Sequence, residues 1–160
     1  MMLFWIESIA ACLLFTLMIA LATGRRSEAF ANDYPPVVTN KLRALGLIAQ
    51  KPPEKKKDIL RKLVALLVYA MLFALLLHYV NGLETFRSGT LTAYGIWLVV
   101  DWWDFLVVDI LLAPFNKFYK ASGVRAFDPS AVWFHCKGSL RGMLLGLLFA
   151  PIVGLLVTIL

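Results

Sequence analysis

Three aspartates lie in one stretch of the chain, residues 91 to 113, that is otherwise apolar enough to cross a bilayer. They are Asp101, Asp104 and Asp109. A charged carboxylate near the centre of a membrane-spanning helix costs about 2.5 to 3.5 kcal/mol on insertion scales, so acids in that position are a default hypothesis for a functional site. Carboxyl groups inside a bilayer can relay protons, hold cations, or join helices by hydrogen bonds.

An α-helix over this stretch predicts which side chains share a face. At about 100° per residue, Asp104 lies roughly 60° from Asp101, and Tyr94 and Trp97 fall on the same stripe, where we expect them to line a pocket. Asp109 lies about 80° to one side of Asp101. Asp101 and Asp104 are therefore predicted to form an ion-binding or relay pair, with Asp109 further along the helix.

Composition places these acids in a membrane protein. Hydrophobic residues make up 61% of the 160-residue chain and charged residues 16%, outside ordinary soluble usage. Four stretches reach the roughly 20 residues that cross a bilayer, about 3 to 22, 63 to 81, 91 to 113 and 142 to 160. The sequence predicts an all-α integral membrane protein with one four-helix transmembrane domain over residues 1 to 160.

The basic residues predict the orientation of this domain. Of the 16 Lys and Arg, ten lie between the first and second spans, five between the third and fourth, and only Arg87 between the second and third. The positive-inside rule then puts both termini outside the cytoplasm. Arg25 and Arg26 follow the first apolar run instead of preceding it, so we expect a retained anchor and not a signal peptide. The net charge of +6 favours contact with anionic lipid head groups over nucleic acid.

The segment between the first two spans, residues 23 to 62, is predicted to be cytoplasmic and to contain an amphipathic helix. Val38, Leu42, Leu45 and Ala49 recur at helical spacing. We expect that apolar stripe to lie on the inner membrane surface. Pro52 and Pro53 are predicted to end this helix and to start the next one.

Depth along the four predicted helices suggests partners at the inner side. At about 1.5 Å per residue, Asp109 reaches the inner interface, where Lys137 or Arg141 is expected to neutralise it and His135 lies close. Its simplest role there is a structural ion pair.

At the outer side the same argument pairs Glu7 of the first span with His78 of the second. Asp101 and Asp104 have no Lys, Arg or His at their depth, so they are either protonated and share hydrogen bonds, or they hold a cation or water. Trp103 points nearly opposite Asp101 and is predicted to contact lipid.

The last span carries a glycine zipper, in which small residues recur every fourth position. They are Gly138, Gly142, Gly146, Ala150 and Gly154. Such a stripe lets another helix backbone approach closely. The neighbour is a helix of the same chain, which we favour, or one of a second copy.

Three patches resemble a group of small four-span bacterial membrane proteins. They are Asp104-Phe-Leu-Val-Val-Asp109, Tyr34-Pro35-Pro36 before a short helix, and Phe134-His135-Cys136-Lys137-Gly138 before a glycine-rich last span. The resemblance implies the four-span architecture and directs attention to Asp104, Asp109 and His135. It implies no activity, substrate or cofactor.

Three functional hypotheses follow from these features. The first is a channel or transporter in a bacterial-type inner membrane that handles protons or cations through the acids of the third helix, acting as an oligomer. In it, Asp101 and Asp104 are the binding or relay pair between Glu7 and His78 at the outer side and Asp109 and His135 at the inner side. The second is a non-transporting accessory subunit whose acids join helices and whose zipper docks a partner membrane subunit. The third is an enzyme or metal site near the lipid head groups, which we favour least because the acids fix no ligand geometry. No cofactor is required, although a bound cation is compatible with the acids.

Overall fold

The computed structural model describes residues 2–25, 33–49 and 56–160, and its regular structure there is entirely helical. The α-helices are α1 (Met2–Arg25), α2 (Pro36–Ala44), α3 (Lys56–Tyr79), α4 (Phe86–Trp103), α5 (Lys117–Ala121) and α6 (Pro129–Ile159). A π-helix (Asp104–Leu112) and a 3-10 turn (Ala113–Phe115) follow α4 without a break. The all-α prediction is confirmed. The predicted helix boundary at Pro52 and Pro53 lies outside the described residues.

Three helical segments are long and apolar enough to cross a membrane. They are Met2–Leu21, Ile59–Tyr79 and Pro129–Ile159. Large apolar side chains on all three are exposed, for example Leu14, Leu67 and Leu148. Exposed apolar surface on this scale is typical of helices that face lipid. The chain is therefore a membrane protein, and three of the four predicted spans meet the requirements of length and apolarity.

The predicted third span is not a uniform α-helix. It falls in α4 and in the π-helix, which begins at Asp104. At the end of the π-helix the Ala113 amide donates to the Val108 carbonyl, five residues back. Because a π-helix bonds residue i to i+5, angular positions predicted at 100° per residue hold only as far as Trp103. The predicted placement of Asp109 to one side of Asp101 rested on the wrong helical period.

The last helix starts thirteen residues before its predicted beginning at 142, because Asp128 caps it. Asp128 Oδ1 accepts hydrogen bonds from the Ser130 hydroxyl and, at 3.0 Å, from the Ser130 amide. The bond from the Ser130 hydroxyl is the main reason why the pKa of Asp128 lies below its ordinary value. Pro129 follows at the first helical position, where proline is favoured. The early start brings residues 129 to 141, including His135, onto α6.

The chain forms two compact units, and α1 and α6 each contribute to both. Unit 1 comprises Met1–Ser8, Pro52–Val99 and Gly142–Leu160, and unit 2 comprises Ile9–Lys51 and Val100–Arg141.

Unit 1 packs α3, α4 and α6 through small residues. Ala74 of α3, Ala93 of α4 and Ala150 of α6 are buried. A Cβ added to Gly89 of α4 would lie 3.1 Å from the Cα of Gly154. The two backbones therefore meet without an intervening side chain, as small residues allow in membrane helix packing.

An aromatic residue of α4 lies on the same face of α6. A Cβ on Gly146 would lie 2.5 Å from the indole ring of Trp97. The Trp97 indole N–H donates to the Gly142 carbonyl at 2.9 Å, and the ring packs on Phe149 with centroids 4.9 Å apart. Gly142, Gly146 and Gly154 thus lie against α4 of the same chain, whereas Gly138 is exposed.

In unit 2 the apolar face of α2 is covered by protein. Val38 and Leu42 are fully buried and pack with Tyr119 of α5, whereas Leu45 is 59% exposed. The predicted helix is present, but the expectation that Val38 and Leu42 lie on the membrane is wrong, because α5 supplies the apolar surface that they contact. Gly46, at φ 69°, ends α2, and the Leu47 amide donates to the Leu42 carbonyl at 2.9 Å.

Two Gly→Ala substitutions on α6 test this packing. A Cβ at residue 154 would lie 2.7 Å from the Phe86 carbonyl oxygen and 2.9 Å from the Thr90 amide nitrogen, whereas one at residue 138 would contact nothing within 4 Å. We expect Gly154→Ala to destabilise the fold by about 1 to 3 kcal/mol through overpacking. Gly138→Ala should be neutral or stabilising by up to about 1 kcal/mol, because alanine favours the helix.

The two variants are compared by thermal unfolding in detergent, followed by tryptophan fluorescence. Equal midpoints would contradict the close approach of α4 and α6.

Candidate functional site

A histidine of α6 contacts an aspartate of the π-helix in unit 2. His135 Nδ1 lies 2.7 Å from Asp109 Oδ2, and their side chains are 8% and 28% exposed. The sequence predicted Lys137 or Arg141 as the partner of Asp109, with His135 close by. In the structure the partner is His135, while the Lys137 ammonium lies 5.1 Å from the centre of the Trp133 ring.

The other ring nitrogen of His135, Nε2, is buried and has no hydrogen-bond partner among the described residues. With Nδ1 directed at the Asp109 carboxylate, the carboxylate favours a proton on Nδ1 and leaves Nε2 as an acceptor. A carboxylate that orients an imidazole in this way is typical of proton-transfer sites and of metal ligands.

Asp101 is held by α6 as well. The Ser139 hydroxyl donates to Asp101 Oδ2 at 2.5 Å. Ser139 is not among the predicted site residues, because it precedes residue 142, where the sequence predicts the last span to begin. Ser139 follows His135 by four residues, so on a helix the two side chains share a face. That spacing, together with the Asp128-Pro129 start of α6, is the pattern in the sequence that could have identified Ser139.

Asp104 lies in the same electrostatic environment as the other acids. The charges of Asp109, Asp101 and His135 all act on its carboxylate. Asp104 and Asp109 are the first and sixth residues of the π-helix. Because residues five apart are hydrogen-bonded neighbours in a π-helix, the two acids share a face that an α-helix would have separated more widely.

A tyrosine from the segment before α2 adds to this cluster. Burial, and then the negative charge of Asp109 and the neighbouring Tyr119, raise the pKa of Tyr34 to about 12. The Tyr34 and Tyr119 rings pack edge to face with centroids 5.8 Å apart. Sequence analysis had marked Tyr34 only as part of a resemblance, since no local pattern connects it with Asp109.

Trp103 bonds to α1. Its indole N–H donates to the Thr16 hydroxyl at 2.9 Å, and the ring is half-buried, whereas the adjacent Trp102 is 45% exposed. In unit 2 this stretch therefore contacts α6 through Asp101 and α1 through Trp103, and the lipid contact predicted for Trp103 stays a prediction.

The remaining predicted site residues lie in unit 1. Glu7 does not pair with His78: its Oε2 accepts a hydrogen bond from the Asn81 amide at 2.9 Å. The His78 ring packs edge to face on Tyr79. Tyr94 is half-buried, and Trp97, predicted to line a pocket with it, has its indole N–H bonded to the Gly142 carbonyl.

Comparison with known protein families, with curated proteins and with solved structures found no match. The side chains of unit 2 are therefore the basis for any statement about the chemistry of this site. Within residues 2–25, 33–49 and 56–160, no three His, Cys, Asp or Glu side chains converge as metal ligands. In unit 2, Asp101 bonds to Ser139 and Asp109 contacts His135, while Asp104 and Tyr34 lie within electrostatic range of Asp109.

The phenol of Tyr34 gives a test of this arrangement at alkaline pH. Its pKa rises from 10.0 to about 12, so between these values the folded protein keeps a proton that the unfolded chain loses. The stability that this proton contributes is complete below about pH 10 and is lost as the pH rises towards about 12. Tyr34→Phe, which has no phenol to ionise, should lose less stability over that interval than wild type.

The measurement is the unfolding midpoint across alkaline pH, with phenolate absorbance followed in parallel. Tyr79→Phe is the matched control, because Tyr79 is 70% exposed and should keep the wild-type dependence. Superimposable curves for wild type and Tyr34→Phe would contradict the burial of Tyr34 beside Asp109.

Proposed function

We propose that the protein handles protons across a membrane, as a small channel or transporter, through Asp101, Asp104, Asp109 and His135. The observation that carries the proposal is the His135 imidazole, which is buried, bonded to Asp109 through Nδ1 and unpartnered at Nε2. An imidazole in that position accepts a proton at one nitrogen while the carboxylate stabilises the resulting charge.

The surrounding acids favour a proton relay and not a purely structural pair between Asp109 and His135. Asp104 lies within electrostatic range of His135, and Asp101 is bonded to the Ser139 hydroxyl, which can both donate and accept a hydrogen bond. Chains of Asp, Glu and His of this kind occur in pumps and transporters. Protons are favoured over metal cations because Asp101 and Asp109 already bond to Ser139 and His135, and no three ligand side chains converge among the described residues.

The proposal includes a fourth span formed by α4 and the π-helix together. A stretch of non-uniform helix is tolerated inside a bilayer when neighbouring protein covers it. Asp101 and Asp109 bond to α6, and Trp103 bonds to α1, which supports such a covered position.

The proposed orientation has both termini outside the cytoplasm of a bacterial-type inner membrane. Positive charge on alternate loops supports it. In this orientation Lys117, Lys120 and Lys137, each stacked on an aromatic ring, belong to the cytoplasmic face and contact anionic lipid head groups. The accessory-subunit hypothesis gains less support, since Gly146 and Gly154 already contact α4 of the same chain.

Proton flux in proteoliposomes tests the proposal. A pH-sensitive dye reports flux under an imposed potential for wild type and for Asp104→Asn, in which the amide keeps the size of the side chain but cannot carry a proton. We expect the variant to lose flux by about 100-fold or more, the low end of what a positioned proton-transfer group contributes. His135→Asn should lose flux similarly.

Glu84→Gln is the control, because Glu84 is exposed and lies in unit 1. Its flux should equal that of wild type. Tryptophan fluorescence and gel filtration confirm that each variant is folded. Wild-type protein that is folded and inserted but gives no flux above empty liposomes would overturn the proposal, as would unchanged flux in both Asp104→Asn and His135→Asn.

A further inference from the structure

Unit 1 contains a second polar group, formed where α1 meets the turn after α3. The Asn81 amide nitrogen donates to Glu7 Oε2 at 2.9 Å. Glu7 Oε1 and Asn81 Oδ1 are both buried without a hydrogen-bond partner, and so is Nδ1 of His78, three residues before Asn81.

The two free oxygens are acceptors, which restricts what can satisfy them. Because the Asn81 amide nitrogen is bonded to Glu7, the remaining atom of that amide is its carbonyl oxygen. The turn that holds Asn81 is itself fixed: the Gly82 amide donates to the His78 carbonyl at 3.0 Å, and the Leu83 amide donates to the Leu77 carbonyl at 3.1 Å. The backbone that carries Asn81 is therefore held in place by its own hydrogen bonds.

Buried polar atoms without partners are rare in native proteins and commonly mark an ion or an ordered water. The hydrogen-bond partner that Glu7 has, the Asn81 amide, carries no charge. A buried carboxylate oxygen that meets no positive group is costly in an apolar environment, so a cation would stabilise it. Carboxylate and amide oxygens are ligands for hard cations.

We propose that Glu7 Oε1 and Asn81 Oδ1 bind a monovalent hard cation, sodium or potassium, with His78 beside the site. The charge determines the class of ion: one carboxylate balances one positive charge, whereas a divalent ion would leave a net charge in a region of low dielectric. The site involves none of the residues proposed to handle protons, so the inference holds or fails independently of that function.

The test is cation-dependent stability of the purified protein in detergent. Unfolding midpoints are measured in sodium, potassium, magnesium and choline chlorides at equal ionic strength and fixed pH. A ligand that binds only the folded state raises the midpoint in a saturable way, by about 5 °C at a hundredfold excess over its Kd. We expect that rise in sodium or potassium over choline, with no larger rise in magnesium.

Two variants and one control locate the effect. Glu7→Gln keeps an acceptor for the Asn81 amide but removes the charge, and Asn81→Ser removes the amide oxygen; both should lose the cation-dependent rise. Glu84→Gln, an exposed acid in the same unit, should keep it. Retention of radiolabelled sodium or potassium by wild type but not by Glu7→Gln provides a readout that does not depend on unfolding.

Equal wild-type midpoints in sodium, potassium and choline would overturn the proposal. So would a rise that Glu7→Gln retains in full, or one that Glu84→Gln loses as well. A rise produced by magnesium alone would show that the class of cation is wrong.

Discussion

Polar groups buried within apolar helices must find partners, and here the partners come from one helix pair. In unit 2, Asp101 bonds to Ser139 and the later Asp109 bonds to the earlier His135, so the two elements run antiparallel. In unit 1, Gly89 lies against Gly154 in the same antiparallel sense. In unit 2, α6 supplies the partners of Asp101 and Asp109. In unit 1, α6 supplies the glycine that the backbone of α4 approaches. Losing this helix pair would leave both aspartates without these hydrogen-bond partners.

The two units pack their helices on α6 through different kinds of contact. In unit 1 the approach is backbone to backbone, and the Trp97 ring lies on Gly146 of α6. In unit 2 the contacts are hydrogen bonds between side chains, Asp101 with Ser139 and Asp109 with His135. Small residues increase van der Waals contact where lipid would otherwise compete, while polar pairs satisfy groups that lipid cannot. The glycine stripe of α6 follows the same division: Gly138, which lies in unit 2, is exposed, whereas Gly154 is buried.

The π-helix gives the acidic cluster its particular geometry. An α-helix through the same residues would place Asp109 well away from Asp104, whereas the wider helix brings them to one face. π-helical turns are rare and frequently occur at functional sites. Here the wider turn coincides with three carboxylates, a buried imidazole and the phenol of Tyr34, which lies close enough to Asp109 for its charge to act on the ring hydroxyl. That coincidence adds support to the proposed handling of protons.

The sequence by itself determined the class of protein, three of its apolar spans and the identity of the acids, because hydropathy and charge are properties of local composition. It also contained the Asp128-Pro129 signal that starts α6. Only the tertiary structure decided that Asp109 pairs with His135, that Ser139 holds Asp101 and that α2 buries its apolar face on α5. Those partners lie on helices distant in sequence, so no periodicity could select among them. The change from α- to π-helix at Asp104 also alters which side chains share a face of the helix. A prediction at a uniform 100° per residue does not contain that change.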